Sequence, residues 1–357
     1  MPGLPLAAGL PGALLATSAQ LLTFVPLLLI LVANVAARPR AARALPRWWY
    51  WALLAVVGLA VAALGALTAT TDRGYGVGLA VGGAAMATLA VAPLRRAVAR
   101  ALPIDPASVL DATAVGFTFV IAASQAGLQL GGNVLAQVAA GGAESPEDLV
   151  INELPFLLAA LLGVGIFLRR RPADALTRLG LVRPGWWQLG LGLGCAGAFY
   201  LFSLGADALQ QLLTPAEAAR VGAATGRLYQ GIGSPAGIVT IALTAGICEE
   251  ALFRGALQPR LGLVWTSIVF ALVHTQYGIS IDEVAVLILA FGLGALRALT
   301  NTTTSMICHV VYNAITAAQV AASAFAWPAL GVEVAVLAAV ALGAGVRGRD
   351  GAARHRA

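Results

Sequence analysis

Gly246-Ile247-Cys248-Glu249-Glu250-Ala251-Leu252-Phe253-Arg254 places two carboxylates and one guanidinium in a run that is otherwise apolar. This run belongs to residues 236–257, and about 20 apolar residues suffice for a helix that crosses a bilayer. A charged side chain near the centre of such a helix costs about 2.5–3.5 kcal/mol on insertion scales, so it is rare and usually functional. The stretch therefore predicts a transmembrane helix with a polar functional site.

The composition of the whole chain indicates a membrane protein. Apolar types make up 59% of the 357 residues and charged types only 11%, whereas a soluble domain carries about 25% charged residues. The net charge is +6, and the basic residues are all arginines in short runs between apolar spans. That distribution is typical of topology signals and does not indicate a nucleic-acid partner.

We predict an all-α fold, a polytopic transmembrane helical bundle of about eleven spans with its functional core in the C-terminal half. When these spans alternate, 19 of the 22 arginines fall on one side. Arginine-rich loops stay in the cytoplasm, so we expect a multi-pass protein of the bacterial cell membrane with its N-terminus outside and its C-terminus inside. The predicted spans are 18–37, 49–69, 75–93, 107–127, 152–168, 186–205, 236–257, 261–277, 282–299, 303–322 and 325–346.

The chain is predicted to have four parts. Residues 1–105 form extra N-terminal transmembrane helices, and residues 106–235 form transmembrane helices with long outer loops. Residues 236–325 form the functional core, and residues 326–357 form the last helix and a basic cytoplasmic tail.

The acidic stretch divides by helical geometry into two roles. Glu250 and Arg254 are four residues apart, so they share a helix face and can form an ion pair. Glu249 is rotated by about 100° from Glu250 and points elsewhere, where a desolvated carboxylate is suited to act as a general base. The alternative is that all three form one structural ion-pair cluster.

Two of the three histidines lie in the spans that follow. His274 is four residues after Phe270, and Asn313 is four residues after His309, so each pair projects from one helix face. These side chains and the glutamates lie within a short segment of an apolar chain, which predicts one polar site. Counted from the arginine-rich ends of their helices, Glu249 is about 12 Å deep and His309 about 9 Å deep. We therefore expect the site to open toward the cytoplasmic, arginine-rich side, although His274, at about 20 Å, fits this depth poorly.

These residues resemble a known family. The resemblance is to the CPBP (CAAX protease and bacteriocin-processing) family, also called the Abi family, which is related to the Ras-converting CAAX endopeptidases. It covers roughly residues 236–325, and its three motifs occur here in the same order and spacing. They are Glu249-Glu250-x-x-x-Arg254, Phe270-x-x-x-His274 and His309-x-x-x-Asn313.

The resemblance implies an intramembrane glutamic endopeptidase. It implies that Glu249 is the base that activates water with the help of His274, and that His309 and Asn313 stabilise the oxyanion. These residue types suit amide hydrolysis, because it needs a deprotonated water and donors aimed at the developing oxyanion. The implied partners are a membrane-associated peptide or protein substrate and the lipid bilayer. A prenylated substrate does not follow.

The same resemblance makes Glu250 part of the catalytic motif and gives Arg254 and Phe270 supporting positions. No cofactor is expected. Zinc held by Glu249, His274 and His309 is the alternative, although the chain has no His-Glu-x-x-His motif and no Cys-x-x-Cys pair. A non-catalytic immunity or scaffolding factor of the same fold and a transporter are the other open alternatives.

Overall fold

The computed structural model describes residues 25–38 and 47–321, with side chains up to residue 318. Every regular element in these ranges is helical, apart from one isolated bridge between Ile166 and Arg170. The α-helices are α1 (Val25–Ala36), α2 (Trp48–Thr68), α3 (Arg73–Thr88), α4 (Ala92–Val98), α5 (Val109–Gly131), α6 (Val134–Ala140), α7 (Pro146–Val164), α8 (Pro172–Leu179), α9 (Trp186–Leu213), α10 (Pro215–Leu228), α11 (Pro235–Glu250), α12 (Gln258–Leu272), α13 (Ile281–Leu299) and α14 (Thr302–Ala321).

The all-helical membrane fold is confirmed, but the count of eleven spans is not. Among the described residues, four segments are long and apolar enough to cross a membrane, and the α3–α4 pair, bent by 110°, makes a fifth if it is one span. The predicted span 325–346 lies outside the described residues. The four segments are Trp48–Thr68, Val109–Gly131, Trp186–Leu213 and Pro235–Leu272.

Charged residues explain why two of the predicted spans do not qualify. α7 carries Glu147, Asp148 and Glu153, and α13 carries Asp282 and Glu283 in its first turn and Arg297 in its last turn. Each of these helices has 19 residues. Carboxylates in the first turn interact favourably with the helix macrodipole and stabilise a helix start that a serine caps. They also shorten the apolar segment that is available to cross the membrane.

The N-terminal helices pack closely through glycines. A β-carbon added at Gly65 of α2 would lie 2.2 Å from the backbone nitrogen of Ala80 in α3, and one at Gly78 of α3 would lie 2.1 Å from the carbonyl oxygen of Ala123 in α5. Small residues at such contacts let helix backbones approach. Leu261 of α12 belongs to the same buried cluster as the apolar side chains of α1, α2 and α5, so these helices pack against the C-terminal core.

The C-terminal core is built around α11. This helix packs between α7 and α14, while α13 contacts α9, α12 and α14. After Glu250 the chain passes into a π-helical stretch, Ala251–Leu257, and then into α12. The predicted spans 236–257 and 261–277 thus follow each other directly, and Gly262, with φ 78° and ψ 171°, marks the break between them. π-Helical turns are often found at functional sites.

Gly246 sets the distance between α11 and α14. A β-carbon at this position would lie 2.9 Å from the backbone nitrogen of Val310, and backbone atoms cannot move away as a flexible side chain can. Gly246 is one turn before Glu249, and Val310 follows His309 directly. The glycine therefore allows the acidic stretch and the second histidine to meet.

Substitution Gly246→Ala is expected to destabilise the protein by about 1–3 kcal/mol, since overpacking forces α11 and α14 apart. Thermal unfolding in detergent measures this effect. The control is Gly222→Ala in α10, where nothing lies within 4 Å of the added carbon. Equal midpoints for the two variants would contradict the close approach.

Candidate active site

A cavity of about 390 Å³ brings together the polar side chains that the sequence singled out. Its lining includes Glu249 from α11, His274, and both His309 and Asn313 from α14. Phe270 of α12 contributes to the same wall. Side chains 64 positions apart in the sequence therefore face one another across a single space.

Glu249 presents its carboxylate to this cavity from a buried position. The residue is 7% exposed. Its Oε2 lies 4.0 Å from Nε2 of His309, and within the described residues no hydrogen-bond donor meets that oxygen. A buried carboxylate oxygen left without a donor is unusual, because desolvation of such a group is costly.

Glu250 faces away from the cavity, into the bundle, and is fully engaged there. One oxygen, Oε1, lies 3.1 Å from Nδ1 of His309. The other oxygen accepts a hydrogen bond from the hydroxyl of Ser305 and lies 3.5 Å from Nε of Arg254. Glu250 is absent from the cavity lining, so the structure places it behind the site, as a group that holds its neighbours.

Arg254 is buried completely, one turn after Glu250. Its guanidinium carbon lies 4.6 Å above the ring of Phe270, a distance at which a cation is attracted to the face of an aromatic ring. The same ring packs at 4.6 Å, between centroids, against the imidazole of His274. Phe270 thus connects the ion pair behind the site with a histidine inside it.

His274 lies just beyond the end of α12, with non-helical dihedral angles, and not within a span as the sequence predicts. Its Nδ1 is 2.7 Å from the carbonyl oxygen of Phe270. Because a carbonyl can only accept, Nδ1 carries the proton, which leaves Nε2 able to accept one in the neutral ring. This contact holds the tautomer that can assist a base.

His309 differs from His274 in its partners, because each of its ring nitrogens faces a carboxylate. Nδ1 is paired with Glu250 and Nε2 points toward Glu249. When Nδ1 donates its proton to Glu250, Nε2 can also donate only if the ring carries a second proton. Asn313 is four residues later on the same face of α14 and supplies an amide N–H to the same cavity.

The opposite wall of the cavity contains polar residues that the sequence reading did not assign to the site. Burial raises the pKa of Tyr229, and the nearby Glu144 and Glu249 raise it further, so its hydroxyl stays protonated. Burial also raises the pKa of Glu144, despite a hydrogen bond from Asn152. Sequence signals for these residues are weak, because they come from α7 and the loop before it, the segment after α10, the turn after His274 and α14. Those that the sequence reading left out of the site are Glu144, Asn152, Glu153, Tyr229, Gln276, Tyr277 and Tyr312.

The position of these residues corrects the expected direction of the opening. The lining reaches residues 144, 228–233 and 276–277, which lie between helices on the arginine-poor face. No residue of the arginine-rich segments 165–183 and 258–260 lines it. The expectation of an opening on the arginine-rich side is therefore wrong. The depth of a residue along its own helix does not show at which end of the bundle the cavity opens.

Within residues 25–38 and 47–321, no group of three or more His, Cys, Asp or Glu side chains is arranged to hold a metal ion. Nδ1 of His274 is held by a backbone carbonyl and Nδ1 of His309 by Glu250, so Nε2 is the remaining ring nitrogen of each histidine.

Substitution Arg254→Met is expected to lower the free energy of unfolding by about 3–5 kcal/mol, because it leaves the Glu250 carboxylate buried without its cation. The double substitution Glu250→Gln/Arg254→Met removes both charges and is expected to recover more than half of this loss. Unfolding in detergent measures both. Arg220→Met is the control, since the exposed pair Arg220–Glu217 contributes about 0–1 kcal/mol. Additive losses in the double variant would contradict a coupled pair.

Comparison with family models gives a match in the C-terminal half of the chain. Residues 231–315 match the family model described as "Rce1-like: Type II CAAX prenyl endopeptidase Rce1-like". No curated protein and no solved structure matches the chain significantly. The matched segment contains all three motifs, from Glu249 to Asn313. Residues 231–315 of this membrane protein therefore match the CAAX protease (CPBP) family.

Proposed function

We propose that the protein is an intramembrane endopeptidase that hydrolyses peptide bonds with water activated by Glu249 and His274. The observation that carries this proposal is the meeting of a buried carboxylate, two imidazoles and an amide on one cavity. The match to a family of CAAX endopeptidases supports the same reaction type.

The first step is the attack of water on the substrate carbonyl carbon. Glu249 takes a proton from the water, and Nε2 of His274, which is free to accept, helps to orient it. The carbon–oxygen bond forms while the carbonyl electrons move to oxygen. A positioned general base contributes about 10²- to 10⁴-fold to such a step.

The second step is collapse of the tetrahedral intermediate. Nε2–H of His309 and the side-chain amide of Asn313 donate to the oxyanion. The proton held by Glu249 passes to the leaving nitrogen, the carbon–nitrogen bond breaks, and the products are a carboxylic acid and an amine. Glu250 keeps Nδ1 of His309 occupied, so that Nε2 is the nitrogen that faces the substrate.

The substrate is a peptide or protein associated with the bilayer. A cavity of about 390 Å³ between membrane helices admits a few residues of an extended chain. A second, largely apolar cavity of about 620 Å³ shares Asn152, Phe156 and Val273 with it, so apolar parts of a substrate can lie next to the site.

Substitution Glu249→Gln is expected to reduce cleavage by about 10²- to 10⁴-fold while keeping the fold, since it removes the base and preserves the shape. The measurement is a proteomic comparison of membrane-peptide products between cells with the wild-type protein and cells with the variant. Asp174→Asn, on the exposed first turn of α8, is the matched control.

Two outcomes would overturn this assignment. An identical product profile for wild type and Glu249→Gln, with the cellular phenotype intact, would indicate a non-catalytic factor. Complete loss of cleavage on chelation, with rescue by added zinc, would indicate a metallopeptidase in which Glu249 is a ligand.

The orientation that we propose follows the arginine distribution, with the arginine-rich loops in the cytoplasm of a bacterial cell, the N-terminus outside and the C-terminus inside. The cavity then opens on the outer side. In a variant without native cysteines, Gly233→Cys at the cavity rim is expected to react with a membrane-impermeant maleimide in intact cells. Asp174→Cys, on the arginine-rich face, is expected to react only after the cells are opened. The reverse pattern would show that the cavity opens to the cytoplasm.

A further inference from the structure

The wall of the candidate catalytic cavity that faces α11 is acidic. Glu144, just before α7, and Glu153, on α7, both line the cavity together with Glu249. No arginine is among the described lining residues, although the chain contains 22 basic residues. The carboxylates in this space therefore have no guanidinium beside them in the described lining.

Their hydrogen bonds leave these carboxylates partly unsatisfied. Oε1 of Glu144 accepts from Nδ2 of Asn152 at 3.2 Å. Oε2 of Glu153 is buried and meets no donor among the described residues. Glu153 lies near enough to Glu144 and to Glu249 for its charge to interact with each of theirs.

A second observation points to a ligand in the same space. Glu249 lines the cavity and is more than nine-tenths buried, and its Oε2, 4.0 Å from Nε2 of His309, has no hydrogen-bond donor among the described atoms. Buried carboxylates that lack partners are costly, and a bound cation with N–H donors removes much of that cost. The cationic groups available to a peptidase site are the side chains of the substrate itself.

The contacts of Glu144 and Glu153 do not fit a purely structural role. A structural carboxylate is expected to be paired, as Glu250 is with Arg254, or to serve as a helix cap, as Asp148 does with Ser145. Glu153 has neither arrangement among the described residues, and its position on α7 directs it to the space in front of α11.

We propose that Glu144 and Glu153 form a specificity subsite for a lysine or arginine side chain of the peptide substrate, next to the bond that Glu249 cleaves. This subsite rests on the proposed endopeptidase function, and it specifies the class of substrate. Charge complementarity across such a site discriminates between substrates by favouring the matching charge and by penalising an acidic side chain in the same place.

Binding is measured first, with proteins that carry Glu249→Gln so that no peptide is consumed. The probes are two apolar fluorescent peptides that are identical except for one central lysine or glutamine. We expect at least tenfold tighter binding of the lysine peptide. Adding Glu144→Gln and Glu153→Gln is expected to reduce this preference below threefold, whereas the control Glu147→Gln, exposed on the same helix and outside the cavity, is expected to keep it.

Cleavage is measured second, with the otherwise wild-type protein and a panel of membrane-anchored peptides that vary in charge on each side of the scissile bond. Charge reversal by Glu153→Arg is expected to shift the preference from lysine to glutamate peptides. Because this variant gains a preference, its result does not depend on the double variant folding well.

Equal binding of the lysine and glutamine peptides, or a lysine preference that survives the double substitution, would overturn the subsite. The two proposals fail separately. Charge-dependent binding without cleavage of any peptide would remove the proposed peptidase function and leave the cation site. Cleavage that ignores charge would leave the peptidase and remove the subsite.

Discussion

The buried carboxylate of Glu250 is the group on which the site depends. It is completely buried, and a charge in that environment persists only when it is paired and hydrogen-bonded. Arg254, Ser305 and His309 meet this need from one turn further along the chain and from α14. The pairing fixes α11 against α14 and, at the same time, fixes which nitrogen of His309 faces the cavity.

Adjacent glutamates can have separate roles because a helix rotates about 100° per residue. Glu250 points into the bundle and Glu249 into the cavity. The π-helical stretch that begins directly after them changes the register before α12, so that Phe270 lies over Arg254 and its carbonyl orients His274. One helix thus supplies both the base and the ion pair that supports the two histidines around it.

Local spacing in the sequence predicted the contacts within each helix but not the contacts between them. The four-residue separation correctly paired Glu250 with Arg254. His274 contacts Phe270, but from beyond the end of α12 and not from a shared helix face. Ser305 partners a residue 55 positions away, and the acidic wall comes from α7, which no motif connects to α11. Periodicity reports which side chains share a face. It does not report which face is opposite or which end of the bundle is open, so the direction of the cavity was predicted wrongly.

In the topology that we propose, the charges of the chain differ between its two faces, and this difference affects the chemistry of the cavity. Arginines then concentrate in the loops of one face, as the positive-inside pattern predicts. The other face is poor in cations, and the cavity extends toward it. No arginine is among the described residues that line it, so the charge of a carboxylate there is balanced by hydrogen-bond donors, by water or by a ligand. Glu250 is paired with Arg254, one turn further along the chain. Glu144 and Glu153 have no such arginine partner among the described residues. In the proposed topology, the arginine distribution that would orient the protein therefore also leaves its candidate active site electronegative.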